Sequence, residues 1–141
     1  MSRELNLKSQ EPNIKQYQNT NIQGSKRYDL EERTLNYAGR TNSYVNNLPR
    51  TISNLQNGKQ LVRAAGSIGA NYIEANEALS KKDFAMRVKI SRKEARESRY
   101  CLQLTSPDNK QESEKFALIQ ESTELIKILS AIILKSSMFK V

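Results

Sequence analysis

Residues 60–75, Gln60-Leu61-Val62-Arg63-Ala64-Ala65-Gly66-Ser67-Ile68-Gly69-Ala70-Asn71-Tyr72-Ile73-Glu74-Ala75, decide what kind of fold this chain adopts. Leu61, Val62, Ala65, Ile68, Gly69 and Tyr72, continued by Asn76 and Leu79, recur at the spacing that places side chains on one face of an α-helix, about 100° per residue. The pattern predicts a helix over residues 55–79. Its centre is unusually small, and two glycines inside a helix cost roughly 1 kcal/mol each relative to alanine. Close backbone approach by a neighbouring helix would offset that cost. A phosphate-cradling loop is the alternative, but such a motif follows a strand and none precedes these glycines.

The same periodicity extends in both directions. Leu30, Thr34, Tyr37, Thr41, Tyr44 and Leu48 step by four, three, four, three and four, predicting a helix over residues 29–47 that Pro49 stops. Asp29, backed by Glu31 and Glu32, suits its positive end. Downstream, Ser80-Lys81-Lys82-Asp83 resembles a capping box, and Phe84, Val88, Ser91, Ala95, Ser98 and Leu102 repeat the four-three rhythm. Ser106-Pro107 suggests an N-cap with proline in the first turn. Phe116, Ile119, Ile126, Leu129 and Ile133 then define a fourth segment, and Leu118, Leu125, Ile128 and Ile132 widen its apolar surface beyond one stripe.

No stretch alternates with a strand's period. Four amphipathic segments joined by short connections predict an all-α domain over residues 28–141, an antiparallel up-down-up-down four-helix bundle. The broad apolar surface of the last segment asks for burial on two sides, which predicts self-association. Residues 1–27 read differently. They are rich in Asn and Gln, with Leu5, Leu7, Ile14, Tyr17 and Ile22 out of any period, and the expectation is a disordered polar arm.

The inventory excludes several kinds of chemistry. Among 141 residues there is no histidine and one cysteine, Cys101. A His/Cys metal cluster, a Ser-His-Asp triad, a Cys-His pair and an intrachain disulfide are therefore ruled out. The Glu-x-x-His motif of di-iron bundles is ruled out with them. Nothing marks a nucleophile or a second, environment-shifted acid, so no enzyme, metal or cofactor is expected. Asn71, Glu74 and Asn76 read as a structural polar network, and Cys101 as a small hydrophobe on a helix. The polar N-terminus lacks the order of a signal peptide. The apolar run 125–134 is interrupted by Lys127 and is about half the length that spans a bilayer. A soluble cytoplasmic protein is expected.

Charge points to a partner. With 23 basic and 15 acidic side chains the chain carries +8, a surplus that favours phosphate-bearing or otherwise acidic molecules. Residues 81–100 hold eight of the cations against three acids, five of the net eight charges. On a helical wheel Lys82, Lys89, Arg92, Lys93, Arg96 and Arg99 share one flank of the apolar stripe, which reads as an electrostatic, weakly sequence-selective nucleic-acid contact, RNA above all. Glu94, Glu97, Met86, Ile90 and Cys101 fall on the other flank. Met86, Ile90 and Cys101, with Leu125 and Ile132 of the fourth segment, are the expected contacts between copies. The competing reading is an adaptor whose basic face meets an acidic protein, such as a polymerase or ribosomal factor.

Tyr28-Asp29-Leu30-Glu31-Glu32-Arg33, Leu48-Pro49, the stretch 60–75, Ser80-Lys81-Lys82-Asp83-Phe84, and Lys93-Glu94-Ala95-Arg96-Glu97-Ser98-Arg99-Tyr100 together resemble the bacterial four-helix bundle proteins also called 23S rRNA intervening-sequence proteins. The resemblance covers residues 27–134. It implies an up-down bundle, assembly as a homopentamer and no known enzymatic activity. These proteins are also similar to the accessory protein of diversity-generating retroelements, a basic pentamer that partners a reverse transcriptase and nucleic acid. The chain departs from the pattern in its Asn/Gln-rich arm and at Cys101, where relatives place a bulky aromatic.

Overall fold

A computed structural model describes residues 22–138 of the chain, with side chains over residues 29–137. Four helices follow one another: α1 (Ile22–Asn46), α2 (Ile52–Asn76), α3 (Lys81–Leu104) and, after a single 3-10 turn at Asn109–Gln111, α4 (Glu112–Met138). No strand occurs among the described residues. The chain divides into two compact units, Met1–Arg33 and Thr34–Val141. Every contact described below lies within the second.

The four-three stripes become the core. All six predicted positions from Leu30 to Leu48 are buried, five of them in α1 and Leu48 just past its end. So are Val88, Ser91, Ala95, Ser98 and Leu102 of α3, and Leu61, Ala64, Ala65, Ile68, Tyr72 and Ala75 of α2. In α4 the buried line runs through Leu118, Ser122, Leu125 and Leu129, with Ile126 beside it. Ile128, Ile132 and Ile133 are half-buried. Much of the broad apolar surface of α4 is thus used within the chain itself.

Hydrogen bonds across the core set the register. Tyr37 Oη and Ser98 Oγ lie 2.8 Å apart, as do Tyr44 Oη and Thr105 Oγ1. Both pairs join residues 61 apart in sequence, so α1 and α3 run parallel. Ser91 Oγ donates to the Ile68 carbonyl at 2.7 Å, tying α3 to the antiparallel α2. Arg40 grips Glu114 of α4 with two bonds of 3.1 Å. A buried hydroxyl pair contributes about 1 kcal/mol net, and losing one partner leaves a desolvated group behind.

Two of the glycines are explained by packing. A Cβ at Gly69 would lie 2.7 Å from Thr34 Oγ1 and 3.2 Å from Thr34 Cβ, and one at Gly58 would lie 2.9 Å from Val45 Cγ1. At both places α1 and α2 approach closely, and at Gly69 this is the reading the small-residue centre suggested. Gly66 is different, because its missing Cβ faces open space.

Several local expectations need correction. Helix α1 begins at Ile22, so Asp29 lies inside it rather than capping it. The expected arm over 1–27 accordingly overlaps the helix from residue 22, while its residues 1–21 lie outside those described. Helix α2 is shifted toward the N-terminus: Thr51 caps it by accepting from the Asn54 N–H at 3.1 Å, and Leu79 lies beyond its end, fully exposed. Val62, expected in the core, is exposed as well.

Ser80 does cap α3, accepting from the Asp83 N–H at 3.0 Å. Ser106-Pro107, in contrast, does not start α4. Asn54 holds Ser106 on both sides, donating to its carbonyl and accepting from its N–H at 2.9 Å each. The chain turns later, where Asp108 accepts from the Gln111 N–H at 3.2 Å. Phe116, in the first turns of a helix that starts late, is 65% exposed rather than in the core.

Two outcomes are expected. Gly69→Ala should lower stability in urea denaturation by about 1–3 kcal/mol through overpacking against Thr34. Gly66→Ala should leave stability unchanged or raise it by about 0.5–1 kcal/mol. Alkaline titration tests the tyrosine pairs. Burial raises the Tyr37 and Tyr44 phenols above their ordinary value of 10.0. A group whose folded pKa is raised contributes stability that is full below the unfolded pKa and is lost as pH climbs through the folded one. Of the six tyrosines, Tyr37 and Tyr44 should ionise, by near-ultraviolet absorbance, only as helical circular dichroism disappears above about pH 10.

Candidate nucleic-acid interface

Helix α3 sorts its charges by neighbour. Its buried stripe separates a flank facing α2 from a flank facing α4. On the α2 side, Arg63 donates through Nη2 to Glu94 Oε1 at 3.1 Å and to Glu97 Oε2 at 2.8 Å. Glu94 is only 8% exposed, so Arg63 is the counter-charge that permits its burial. The hydrogen bonds that Arg63 donates to the two carboxylates, Glu94 first, raise its pKa beyond the ordinary value. Arg87 on the same side donates to Asn71 Oδ1 at 3.1 Å.

Of the polar set expected around Asn71, Asn71 itself bridges two helices. Asn71 Nδ2 donates to the Ser67 carbonyl at 2.9 Å and Asn71 accepts from Arg87, which links α2 to α3. Glu74 points into solvent.

The other flank carries the six predicted cations. Lys82, Lys89, Lys93 and Arg96 are exposed. Arg92 and Arg99 are half-buried and lean onto α4, where Arg92 Nη1 donates to Ser130 Oγ at 3.2 Å and Arg99 Nη1 to Thr123 Oγ1 at 3.3 Å. These bonds fix two guanidiniums by neutral hydroxyls, leaving their charge uncancelled. Among the described residues none of the six has a carboxylate within ion-pair distance. Nearby Glu124 of α4 is taken by Lys127 at 3.6 Å. The helix therefore presents a cationic row from Lys82 to Arg99 that meets no carboxylate among the described residues, while Glu94 and Glu97 pair with Arg63 on the far side.

Beyond these six, Lys81 joins the row at its start, where α3 and the end of α4 enclose a pocket with Lys82 and Lys89. The sequence reading omitted it because the wheel places Lys81 off the flank. Only the neighbouring α4 brings it to the same cavity.

The residues expected between copies do not form one surface. Cys101 and Leu125 are buried in the interior of the single chain, 6% and 0% exposed. They belong to its own packing. Met86 is half-exposed, and Ile90 and Ile132 are partly covered. Burial is the main reason the Cys101 thiol pKa is raised, with the Glu97 charge adding to it, which makes the thiol less reactive. A different apolar surface was not foreseen: Leu55, Val62 and Ile73 are exposed along the outer face of α2, with Gly66 among them.

The described residues contain no group of three or more His, Cys, Asp or Glu side chains placed to hold a metal ion, and no helix long and apolar enough to cross a membrane.

Residues 26–131 match the family described as 23S rRNA-intervening sequence protein. The chain is similar to a protein of unknown function from the S23 ribosomal protein family of Bacteroides thetaiotaomicron VPI-5482, known from a crystal structure. The two are 33% identical, the similarity covers 74% of this chain and 97% of that one, and the TM-score is 0.61. No functionally curated protein matches significantly. The chain belongs to the 23S rRNA-intervening sequence protein family.

Replacing Arg63 by Met should cost about 1–2 kcal/mol in urea denaturation, because Glu94 then stays buried without its partner. The half-exposed Arg63 keeps the loss below that of a fully enclosed pair. Adding Glu94→Gln should recover part of it, since the amide carries no charge to desolvate. Equal losses in the single and double variants would show that the ion pair does not hold Glu94 in place.

Proposed function

We propose that this member of the 23S rRNA-intervening sequence protein family is a non-enzymatic, cytoplasmic homo-oligomer that binds nucleic acid, RNA in particular, through the cationic row of α3. The observation that carries the reading is the segregation of charge: Arg63 absorbs Glu94 and Glu97, whereas Lys82, Lys89, Arg92, Lys93, Arg96 and Arg99 meet no carboxylate among the described residues. A row of like charges costs self-repulsion unless an anion relieves it, and a polyphosphate backbone does so along its length. Recognition of this kind is electrostatic and tolerant of sequence. The total charge of +8 and a chain without histidine support a binding role over catalysis.

Self-association, as a pentamer in line with the family resemblance, would use the opposite side of the bundle. Gly66 lowers helix propensity, and nothing inside the chain needs its small size. Set among exposed Leu55, Val62 and Ile73, it would let a second copy's helix come close. The groove beside it, lined by Val45, Leu48, Leu55, Gly58 and Val62, has a volume of about 380 Å³. A surface on α1 and α2 for sister subunits would leave the α3–α4 side free, so several copies would present parallel cationic rows.

Fluorescence anisotropy with single-stranded RNA at low salt tests the proposal. Four exposed cations on the row give an expected slope of about −3 in a plot of log affinity against log salt for a single strand. The double variant Lys89→Glu/Arg96→Glu, at exposed positions that leave the fold intact, should weaken binding at least about tenfold and cut that slope to about half or less. Wild-type protein that ignores RNA and DNA at low salt would overturn the reading and favour an acidic protein as the partner of the same face.

A further inference from the structure

The cationic row ends in a cavity. Where the start of α3 meets the end of α4, the helices part around a pocket of about 440 Å³, within the range of small-molecule sites. Lys81, Lys82 and Lys89 rim it from α3, and Ser136 and Ser137 offer two hydroxyls from α4. Met86 and Ile133 supply much of its apolar wall, and no acidic side chain lines it. Lys82 and Lys89 have no carboxylate partner among the described residues.

These walls describe a ligand. Three lysines and two serines line one cavity with no acid among them, which suits a group with two negative charges and several acceptor oxygens, as a phosphate monoester has. The thioether of Met86 and the branched Ile133 suit the face of a flat, polarisable ring, the kind of surface on which an unstacked base rests. Both requirements meet in a nucleoside monophosphate. An extended hydrocarbon chain would need a longer apolar trough than two side chains provide. The pocket also shares Lys82 and Lys89 with the row, so a strand lying along α3 toward its N-terminus arrives there with its last nucleotide.

We propose that the pocket between α3 and α4 is a nucleotide site that receives the phosphorylated end of a single strand, its phosphate on Lys81, Lys82 and Lys89 and its base against Met86 and Ile133. The strand-end part rests on the row being a nucleic-acid surface; the nucleotide site itself does not. The protein would then distinguish ends from interior sequence, and cleaved strands carrying a terminal phosphate from those with a hydroxyl.

The test uses the full chain and internally labelled short RNA strands bearing a phosphate at the 5′ end, at the 3′ end, or at neither, with a circular strand as reference. One phosphorylated form should bind about tenfold tighter than the hydroxyl and circular forms. Ile133→Trp, which fills the cavity, and Ser137→Glu, which places a negative charge on its rim, should each erase that difference while the hydroxyl strand binds as before. The second variant covers the case in which the tryptophan disturbs folding. Calorimetric titration with AMP forms the other arm. If all strands bind alike and AMP does not bind, the pocket proposal is overturned while the row stands. If no strand binds but AMP does, and Ile133→Trp abolishes it, the site stands with a free nucleotide as its occupant and the row reading falls. If neither strands nor AMP bind, both fall.

Discussion

Arg63 is the residue on which the surface of this bundle turns. It reaches from α2 to both carboxylates on the inner half of α3, 3.1 Å from Glu94 and 2.8 Å from Glu97. Glu94 could not be buried at 8% exposure without it. The consequence lies on the other side of the helix. Glu94 and Glu97, placed on the α2 side by their spacing, are occupied there by Arg63, and on the α4-facing flank Arg92 and Arg99 are held only by the hydroxyls of Ser130 and Thr123. One ion-pair cluster therefore stabilises the α2–α3 seam and polarises the whole third helix.

Polar groups also set how the helices meet. Tyr37 with Ser98 and Tyr44 with Thr105 cross the core at one constant offset, which fixes α1 against α3 to a single register. Apolar packing alone tolerates sliding by a turn, whereas displaced hydroxyls would be buried without partners at a cost of about 1–3 kcal/mol each. The close approach of α1 and α2 at Gly58 and Gly69 adds a steric lock.

Much of this was legible in the chain. The stripes in α1 and α3 were readable because most core positions, polar or apolar, obey the four-three step; the exceptions are in α3, where Phe84 is only half-buried and Glu94 and Cys101 are buried off the stripe. The cationic flank was readable for the same reason, since angular position on a helix depends only on sequence spacing. Where the reading failed, a second element intervened. Ser106-Pro107 has the residues of a helix start, but Asn54, more than fifty positions away, holds Ser106 in an extended connection. Phe116 has the chemistry of a core residue but sits ahead of the line that α4 actually buries. Cys101 and Leu125 were assigned to contacts between copies because a wheel shows which way a side chain points and not what already occupies that direction.

By itself the sequence determined the helical class, the number of segments, the buried stripes and the side of α3 that collects positive charge, because each of these follows from local periodicity within one helix. Only the tertiary structure decided which partner meets each flank: that Arg63 silences Glu94 and Glu97, that Gly69 makes room for Thr34 while Gly66 faces outward, and that Lys81 joins Lys82 and Lys89 around a pocket that α4 also lines. The physical reason is range. Helical periodicity is set by hydrogen bonds between residues four apart, whereas ion pairing, close packing and pocket formation join groups tens of residues apart, whose meeting depends on how whole helices are placed.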